Sequence, residues 1–222
     1  MSLVNRMDAK TDTGRTTGAK LAADAVQRGE VIVMPTDTVY GVGADAFDRN
    51  AVAAVLAAKG RGRDVPPPVL VPNPRTLDGL ATGVSDAARE LVAAFWPGPL
   101  TIVCRAVPSL DWDLGETNGT VALRMPLHRV ALAVLELTGP MAVTSANRTG
   151  EPPATTVDEA QAQLGEAVSI YLDGGPSPTG TASTIVDVTG AVPRVLRAGP
   201  IPLERLRAVA GQVESDLPPA AQ

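Results

Sequence analysis

Residues 30–71 read EVIVMPTDTVYGVGADAFDRNAVAAVLAAKGRGRDVPPPVLV. The continuous apolar run at 31–34 predicts a short buried strand. The Ala-rich segment 49–59 has helical spacing, with Asp48 as a side-chain cap before it and Gly60 after its end. A strand followed by a helix is the first half of the unit from which α/β folds are built.

The rest of the chain continues this alternation at first and then departs from it. Prolines at 66–68 end helical structure, and residues 69–71 predict the next buried strand. Strands alternate with helices early and cluster late, so we expect a twisted mixed parallel and antiparallel sheet with flanking helices, an α/β fold. Further strands are predicted at 100–104, 121–124, 141–144, 169–172, 183–188 and 194–196, and further helices at 17–27, 85–95, 128–137, 156–164 and 202–209.

Composition narrows the class of protein. The 222 residues are 45% hydrophobic and carry a net charge of −5, which argues against a broad, sequence-independent nucleic-acid binder. One cysteine and one histidine exclude an internal disulfide and a Cys/His zinc site. With neither a signal-peptide core nor an apolar run long enough to span a bilayer, we expect a cytoplasmic protein with no membrane partner.

The predicted organisation is one domain with flexible ends. Residues 1–16 are polar and lack periodicity, so they predict a flexible N-terminal segment. Residues 17–210 form the predicted domain, and residues 211–222 a loose C-terminal tail.

Polar side chains follow the first strand directly, in the segment PTDTVYGVG (residues 35–43). Open α/β sheets usually bind ligands at such strand ends, where Thr36 and Thr38 offer hydroxyls. The alternative is a turn stabilised by its own side-chain bonds. Gly41 to Ala46 matches G-x-G-x-x-A, but no acidic residue follows at the spacing of a ribose-binding site, so we interpret these glycines as relaxing a turn.

Three cations follow the helix at 49–59. Lys59, Arg61 and Arg63 alternate with glycines, and Lys59 is one of only three lysines in the chain. The ordinary explanation is a solvated cationic helix end, since basic residues favour a helix C-terminus. We favour anion binding on a solvent-accessible loop, such as the phosphates of a nucleoside triphosphate. The chain has no Walker A sequence.

Other polar residues also follow predicted strands. Ser145 and Asn147 lie in the segment TSAN, and both side chains would face one ligand if the strand persisted. An Asx-type turn explains the same residues equally well. Ser183 opens a strand, whereas Arg124 and Arg197 end strands, where a structural ion pair is the commoner role of an arginine.

The segments PTDTVYGVG, KGRGRD, WPGPLTIV, VALRMP, TSANRTGEPP, STIVDVTG and RVLRAGP together resemble the YrdC/TsaC family. They occur in family order over residues 17–209. The resemblance implies a twisted mixed sheet around a basic cavity. It also implies an L-threonylcarbamoyladenylate synthase, a nucleotidyltransferase that condenses L-threonine, bicarbonate and ATP with release of pyrophosphate. A threonylcarbamoyl-transferase complex would then modify tRNA, and a weak direct contact with tRNA stays open.

The resemblance also implies roles for individual residues. Lys59 and Arg61 would be catalytic, Mg²⁺ would be bound with ATP rather than by protein side chains, and no organic cofactor is expected. Two positions depart from the common pattern, Gly62 and Val65, where many members carry proline and a Lys or Asn. The implied ATP-binding residues are Lys59, Arg61, Arg63, Ser145, Asn147 and Arg197, and the implied threonine-binding residues are Thr36, Thr38, Arg124, Val143 and Ser183.

Two other functions fit parts of the sequence. A non-catalytic RNA-binding module would use the same basic cavity, although the acidic charge balance and scarce aromatic residues argue against it. A carbamoyl-transfer domain of the hydrogenase-maturation type is the other, but such domains normally occur in longer chains with zinc-finger cysteines.

Overall fold

The computed structural model describes residues 5–217, which form one mixed sheet with helices packed on it. The elements follow one another in the order expected of an α/β fold, and most lie within two residues of their predicted bounds. The strands are β1 (Asn5–Asp8), β2 (Ile32–Met34), β3 (Gly41–Asp45), β4 (Val69–Leu70), β5 (Ala81–Thr82), β6 (Leu100–Ala106), β7 (Thr120–Arg124), β8 (Met141–Ser145), β9 (Ile170–Asp173), β10 (Thr184–Asp187), β11 (Arg194–Arg197) and β12 (Glu214–Ser215). The helices are α1 (Asp12–Gln27), α2 (Arg49–Lys59), α3 (Thr76–Leu80), α4 (Asp86–Phe95), α5 (Arg129–Thr138), α6 (Val157–Leu164) and α7 (Leu203–Ala210), with a 3₁₀ turn at Gly165–Ala167.

The sheet is mixed, as predicted. Its strand order is β1-β9-β2-β3-β8-β4-β7-β6-β10-β11-β12, and β5 pairs with β6 beside this path. The pairs β2/β9, β4/β7 and β6/β10 are parallel, whereas β2/β3, β3/β8 and β6/β7 are antiparallel. The centre of the sheet therefore joins strands that are far apart in sequence.

Apolar side chains cover both faces of the sheet. In β2, Ile32 and Met34 pack into the cluster under α1 and α5, while Val33 packs into the cluster under α2 and α6. This alternation follows from the two-residue period of a strand and explains the continuous apolar run in the sequence. A third cluster lies where α4 packs on α7 and includes Leu91 and Leu206. Among the described residues, no helix is long and apolar enough to cross a bilayer.

Helix starts follow the predicted caps. The Asp48 carboxylate accepts hydrogen bonds from the backbone N–H groups of residues 50 and 51, and Gly60 ends α2 in the left-handed conformation, with φ of 62°. Ser85 caps α4, and Thr156 forms a reciprocal capping box with Glu159 at α6. Such caps satisfy backbone donors that have no partner within the helix.

Residues 5–16, predicted as part of a flexible N-terminal segment, instead contain a strand and the first turn of a helix. Strand β1 pairs in parallel with β9, and α1 begins at Asp12 rather than at residue 17. Arg6 and Lys10 form ion pairs with Asp173 at 2.8 and 2.9 Å. A polar edge strand carries no hydrophobic pattern of its own, and its partner comes from the other half of the chain.

Two further predictions need correction. Residues 214–215 of the predicted loose tail form β12, which pairs with β11, whereas the tail beyond 217 and the segment 1–4 lie outside the described residues. Gly41 and Gly43 lie in β3 rather than in a turn. A Cβ atom at Gly43 would lie 2.6 Å from Cγ2 of Val143, so this close approach between β3 and β8 requires glycine.

Candidate active site

A cavity of about 410 Å³ lies against the sheet on the side opposite the α4/α7 cluster. Thr101 and Val103 of β6 line it, whereas Leu100, Ile102 and Cys104 of the same strand are in the core. Loops that follow β2, α2, β6, β8 and β9, together with residues of β7, β8, β10 and β11, complete its walls. The lining residues are Thr36, Thr38, Val39, Tyr40, Gly41, Arg61, Val65, Pro66, Pro67, Pro68, Leu70, Thr101, Val103, Leu114, Thr117, Thr120, Val121, Ala122, Arg124, Val143, Thr144, Ser145, Pro153, Ala182, Ser183, Ile185, Leu196 and Arg197.

The lining of this cavity carries charges of positive sign only. It includes three arginines, Arg61, Arg124 and Arg197, and no aspartate or glutamate. Burial, together with repulsion from Arg124 and Arg61, lowers the pKa of Arg197, so the three guanidinium groups lie close enough to interact. Like charges held together in a partly desolvated site favour an anionic ligand, because the ligand relieves their repulsion.

Arg124 is buried at the end of β7 and already has a carboxylate partner. Its Nη2 atom lies 2.6 Å from Oδ1 of Asp37, its Nη1 donates to Oγ1 of Thr38 at 2.8 Å, and its Nε donates to the carbonyl of Gly98. Burial lowers the pKa of Arg124, and the neighbouring Asp37 opposes that shift. Within the described residues, one N–H on each terminal nitrogen is left for a ligand.

Asp37 is the functional residue that the sequence reasoning missed. Besides pairing with Arg124, its Oδ1 accepts the backbone N–H of Leu127 at 2.9 Å and so joins the loop after β2 to the loop after β7. Its place between two threonines in PTDT could have indicated a role in the site, but its partner Arg124 is distant in sequence.

Hydroxyl groups form two pairs at the cavity wall. Oγ1 of Thr36 lies 3.0 Å from Oγ1 of Thr38 and donates to the carbonyl of Val39 at 2.6 Å. Oγ of Ser183 lies 2.7 Å from Oγ1 of Thr101, a residue that the sequence reasoning did not single out. The Thr36 hydroxyl also accepts the N–H of Thr38 at 3.1 Å, which fills its one donor and two acceptor positions, whereas the hydroxyls of Thr38, Thr101 and Ser183 can each take part in a further bond.

The other two cavity arginines are fixed by local bonds. Arg197 donates from Nε and Nη2 to the carbonyl of Ser183, at 3.0 and 2.8 Å, and from Nη2 to the hydroxyl of the same residue. Arg61 follows the left-handed turn at Gly60, and its Nη1 donates to Oγ1 of Thr144 at 3.0 Å. Both guanidinium groups are thereby oriented before any ligand binds.

Lys59 does not lie on a solvent-accessible loop, so that prediction is wrong. It is the last residue of α2, is 2% exposed and is absent from the cavity lining. Its ammonium donates to the carbonyl of Ser145, to the carbonyl of Asn147 at 2.6 Å and to Oδ1 of Asn147 at 3.3 Å. Burial and the charge of Arg61 lower the pKa of Lys59 to about 8.

Ser145 and Asn147 do not face the cavity together. Ser145 lines it, but Asn147 is buried outside the lining, and its amide nitrogen donates to the carbonyls of Arg148 and Glu151. The strand ends at Ser145, and the chain then turns back on itself. The expected alternation of side chains therefore stops two residues before Asn147 and does not present it to the cavity.

Arg63 also lies outside the lining. Its Nη2 is 2.6 Å from Oδ1 of Asp113, an acidic residue in the loop between β6 and β7. The five residues predicted to bind threonine, by contrast, all line the cavity, Val143 among them.

Candidate nucleophiles and metal ligands are poorly placed. Burial raises the pKa of the Cys104 thiol to about 12, and Nδ1 of His128 accepts the backbone N–H of Val130 at the start of α5. Within residues 5–217, no group of three or more His, Cys, Asp or Glu side chains could hold a metal ion. The site offers oriented cations and hydroxyls instead.

Comparison with known proteins assigns the family. The Sua5/YciO/YrdC family model, described as "Telomere recombination", matches residues 24–199. A Mycobacterium tuberculosis (strain H37Rv) protein named "Putative threonylcarbamoyl-AMP synthase" is 54% identical over 209 residues, 94% of this chain and 96% of that protein. The threonylcarbamoyl-AMP synthase of Pyrococcus abyssi is 36% identical over 195 residues, 87% of this chain and 57% of that one. The crystal structure of P. abyssi Sua5 complexed with L-threonine is 33% identical, with a TM-score of 0.89 over 96% of this chain and 62% of that one. The chain therefore belongs to the Sua5/YciO/YrdC family.

Proposed function

We propose that this protein is an L-threonylcarbamoyladenylate synthase, which makes threonylcarbamoyl-AMP from L-threonine, bicarbonate and ATP for the modification of tRNA. The observation that carries the proposal is the cavity with three arginines and no carboxylate in its lining. All the substrates are anionic or zwitterionic, and such a lining complements them. The relatives named threonylcarbamoyl-AMP synthase, and the family member bound to L-threonine, support the same activity.

ATP would occupy the part of the cavity near Arg61, Ser145 and Arg197. The two guanidinium groups would bind the phosphates, since planar N–H pairs match phosphate oxygens. Lys59 and Asn147 would act there by supporting the turn that follows β8, given their bonds to each other. This assignment keeps all five residues in the nucleotide site but divides them into direct and supporting roles.

Threonine would bind beside Arg124. Its carboxylate would take the N–H groups of Arg124 that Asp37 and Thr38 leave free. Thr36, Ser183 and the backbone of Val143 line the same cavity and would surround the amine and the hydroxyl, with Ser183 free to bond them. The buried Asp37 would fix the orientation of the guanidinium rather than contact the substrate.

The chemistry needs no covalent intermediate with the protein. The neutral amine of threonine adds to CO₂ derived from bicarbonate and loses a proton, which gives a carbamate. A carbamate oxygen then attacks the α-phosphorus of ATP, and the bond to pyrophosphate breaks. The site would accelerate these steps by holding the reactants together and by neutralising phosphate charge with Arg61 and Arg197.

Magnesium enters the proposal only with ATP. The cavity lining has no carboxylate, and hydroxyl and guanidinium groups do not form a Mg²⁺ site, so no protein side chain is assigned to hold the ion. When bound to the nucleotide, Mg²⁺ supplies further neutralisation of phosphate charge. The product would pass to a threonylcarbamoyl-transferase complex, and a weak contact with tRNA is part of the same proposal.

The test is release of pyrophosphate by the purified protein with ATP, threonine, bicarbonate and Mg²⁺, each omitted in turn, with the adenylate product identified by mass. We expect release to require all four. Equal release without threonine would indicate a nucleotide hydrolase, and release with carbamoyl phosphate in place of threonine and bicarbonate would indicate a carbamoyl-transfer domain. RNA binding without any pyrophosphate release would favour the RNA-binding module.

A further inference from the structure

Two loops with no strand pairing between them form adjacent parts of the cavity wall. Loop 60–68 follows α2 and contributes Arg61, Val65 and the three prolines, whereas loop 107–119 joins β6 to β7 and contributes Leu114 and Thr117. Leu114 is 2% exposed and packs in the apolar core, and the partly buried Leu110 and Trp112 of loop 107–119 pack against the same core. The remaining contacts of this loop decide where its backbone lies relative to Arg61.

Arg63 makes two of those contacts. Its guanidinium pairs with Asp113 at 2.6 Å, and its backbone carbonyl accepts the N–H of Glu116 at 2.8 Å. Asp113 also accepts the N–H of Gly115 at 3.2 Å, which shapes the turn between these two contacts. The pairing with Arg63 lowers the pKa of the Asp113 carboxyl, so the pair is charged on both sides at neutral pH.

The backbones of the two loops approach closely at this point. Gly115 has φ of 108°, and a Cβ atom there would lie 2.5 Å from the carbonyl oxygen of Arg63. On the outer side, the rings of Phe47 and Trp112 stack with centroids 5.5 Å apart. The contact between the two loops therefore centres on Arg63, while Phe47, which precedes α2, stacks on Trp112 of loop 107–119.

We propose that Arg63 is a positioning residue, which through Asp113 and Glu116 holds loop 107–119 against loop 60–68 and so sets the position of Arg61 for ATP. This inference rests on the proposed function and changes the role that the family resemblance implied for Arg63, from a phosphate contact to a support. The Arg63 side chain points to Asp113, and neither residue lines the cavity, so Arg63 is placed to hold the loop rather than to contact the ligand.

The two roles predict opposite effects of removing Asp113. If Arg63 bound phosphate, Asp113→Ala would free a cation and remove a negative charge, and the KM for ATP would fall or stay unchanged. If Arg63 acts through Asp113, then Asp113→Ala and Arg63→Ala raise the KM for ATP alike. We expect a rise of about two- to five-fold, the range typical of an exposed ion pair, with kcat and the KM for threonine little changed.

The experiment compares Arg63→Ala, Asp113→Ala, the double variant and Arg63→Lys by steady-state kinetics. The matched control is Arg89→Ala, an arginine of similar exposure that pairs with Asp78 at 2.9 Å and lies outside the cavity lining. The double variant should be no worse than either single variant, because the two residues act as one unit. Arg63→Lys should recover part of the loss, and the control should match the parent protein.

A second readout does not depend on activity. Hydrogen–deuterium exchange of residues 107–119 in the free protein should be faster in both single alanine variants, and unchanged in Arg89→Ala. Faster exchange with an unchanged KM for ATP would overturn the proposal, since the pair would then be merely structural. An unchanged exchange rate and KM in Asp113→Ala would overturn it as well. Failure of the parent protein to make the adenylate would refute the proposed function, while the exchange readout would still test the contact itself.

Discussion

The ammonium of Lys59 lies 2.6 Å from the carbonyl oxygen of Asn147 and 3.3 Å from its side-chain oxygen, and it also donates to the carbonyl of Ser145. The end of α2 and the turn after β8 are thereby joined by one buried cation. In return, the carbonyl of Lys59 accepts the N–H of Thr149 at 2.8 Å. The segment around Lys59 and the segment TSAN, which in sequence seemed to offer separate ligand contacts, are therefore held in place by bonds to each other.

Lys59→Met should lose stability as well as activity. The change keeps most of the side-chain volume but leaves buried oxygens of Ser145 and Asn147 without their donor, a loss of about 1–3 kcal/mol in the free energy of unfolding. Urea unfolding measures it, with Lys20→Met on the exposed face of α1 as the control. An unchanged unfolding midpoint together with lost activity would instead favour direct contact between Lys59 and ATP.

Arg61→Ala should lose activity while remaining folded. Its guanidinium lines the cavity and bonds only Thr144 among the described residues, so its removal leaves the core intact. We expect kcat/KM for ATP to fall by about 10²–10³, the usual loss for one electrostatic contact in a site, and the midpoint of thermal unfolding to change little. Near-normal turnover would place the phosphate site elsewhere.

Asp37→Ala should weaken threonine binding more than ATP binding. Removal of the carboxylate leaves Arg124 buried without its ion-pair partner, which typically costs about 3–5 kcal/mol in stability. Asp37→Asn keeps an oxygen acceptor at that position and should fold better, so it isolates the effect on the KM for threonine. Equal changes in both KM values for Asp37→Asn would contradict the assignment of Arg124 to threonine.

The amino-acid site should recognise a hydroxyl rather than shape alone. Thr38, Thr101 and Ser183 each keep a hydrogen-bond position at the cavity wall that the described residues do not fill, and a ligand without its own hydroxyl would leave these positions unused. We expect kcat/KM to fall in the order threonine, serine, valine, with valine lower than threonine by at least about 10². Equal kcat/KM values for valine and serine in the pyrophosphate assay would show that the site recognises the shape of the side chain rather than its hydroxyl.

Asp173→Asn should change how the free energy of unfolding depends on pH in the acid range. Although burial alone would raise the pKa of Asp173, bonds from Arg6, Lys10 and the backbone of Gly175 lower it to about 2, from 3.8. Folding therefore favours the ionised form, and the resulting stability is present above about pH 4 and is lost as the pH falls toward 2.

The variant should be less stable than the parent by about 2 kcal/mol at pH 7, and the difference should vanish near pH 2. Unfolding by urea at several pH values gives both numbers. Asp158→Asn is the control, because Asp158 also pairs with Arg6 but its side chain is 75% exposed. An equal difference at pH 2 and pH 7 would mean that Asp173 acts by packing rather than by charge.

Local chemistry in the sequence determined the helices and the buried strands. The caps at Asp48, Ser85 and Thr156 and the left-handed Gly60 act within a few residues, so their effect can be deduced without the rest of the chain. The apolar runs of the central strands likewise record burial on both faces. The polar strand β1 and the glycine-rich β3 escaped prediction, because their stability comes from partners rather than from their own residues.

The same division holds for the candidate site. The cationic cluster after α2 indicated anion binding, and the family resemblance implied a basic cavity, although each cation alone also fitted a helix end or an ion pair. Only the tertiary structure separated the arginines that line the cavity from the cations that support it, because this depends on partners distant in sequence. Arg61 and Lys59 are two positions apart, yet one faces the cavity and the other is buried against Asn147. The sequence determined which charges are present, and the packing of α2 against the turn after β8 decided which of them a ligand can reach.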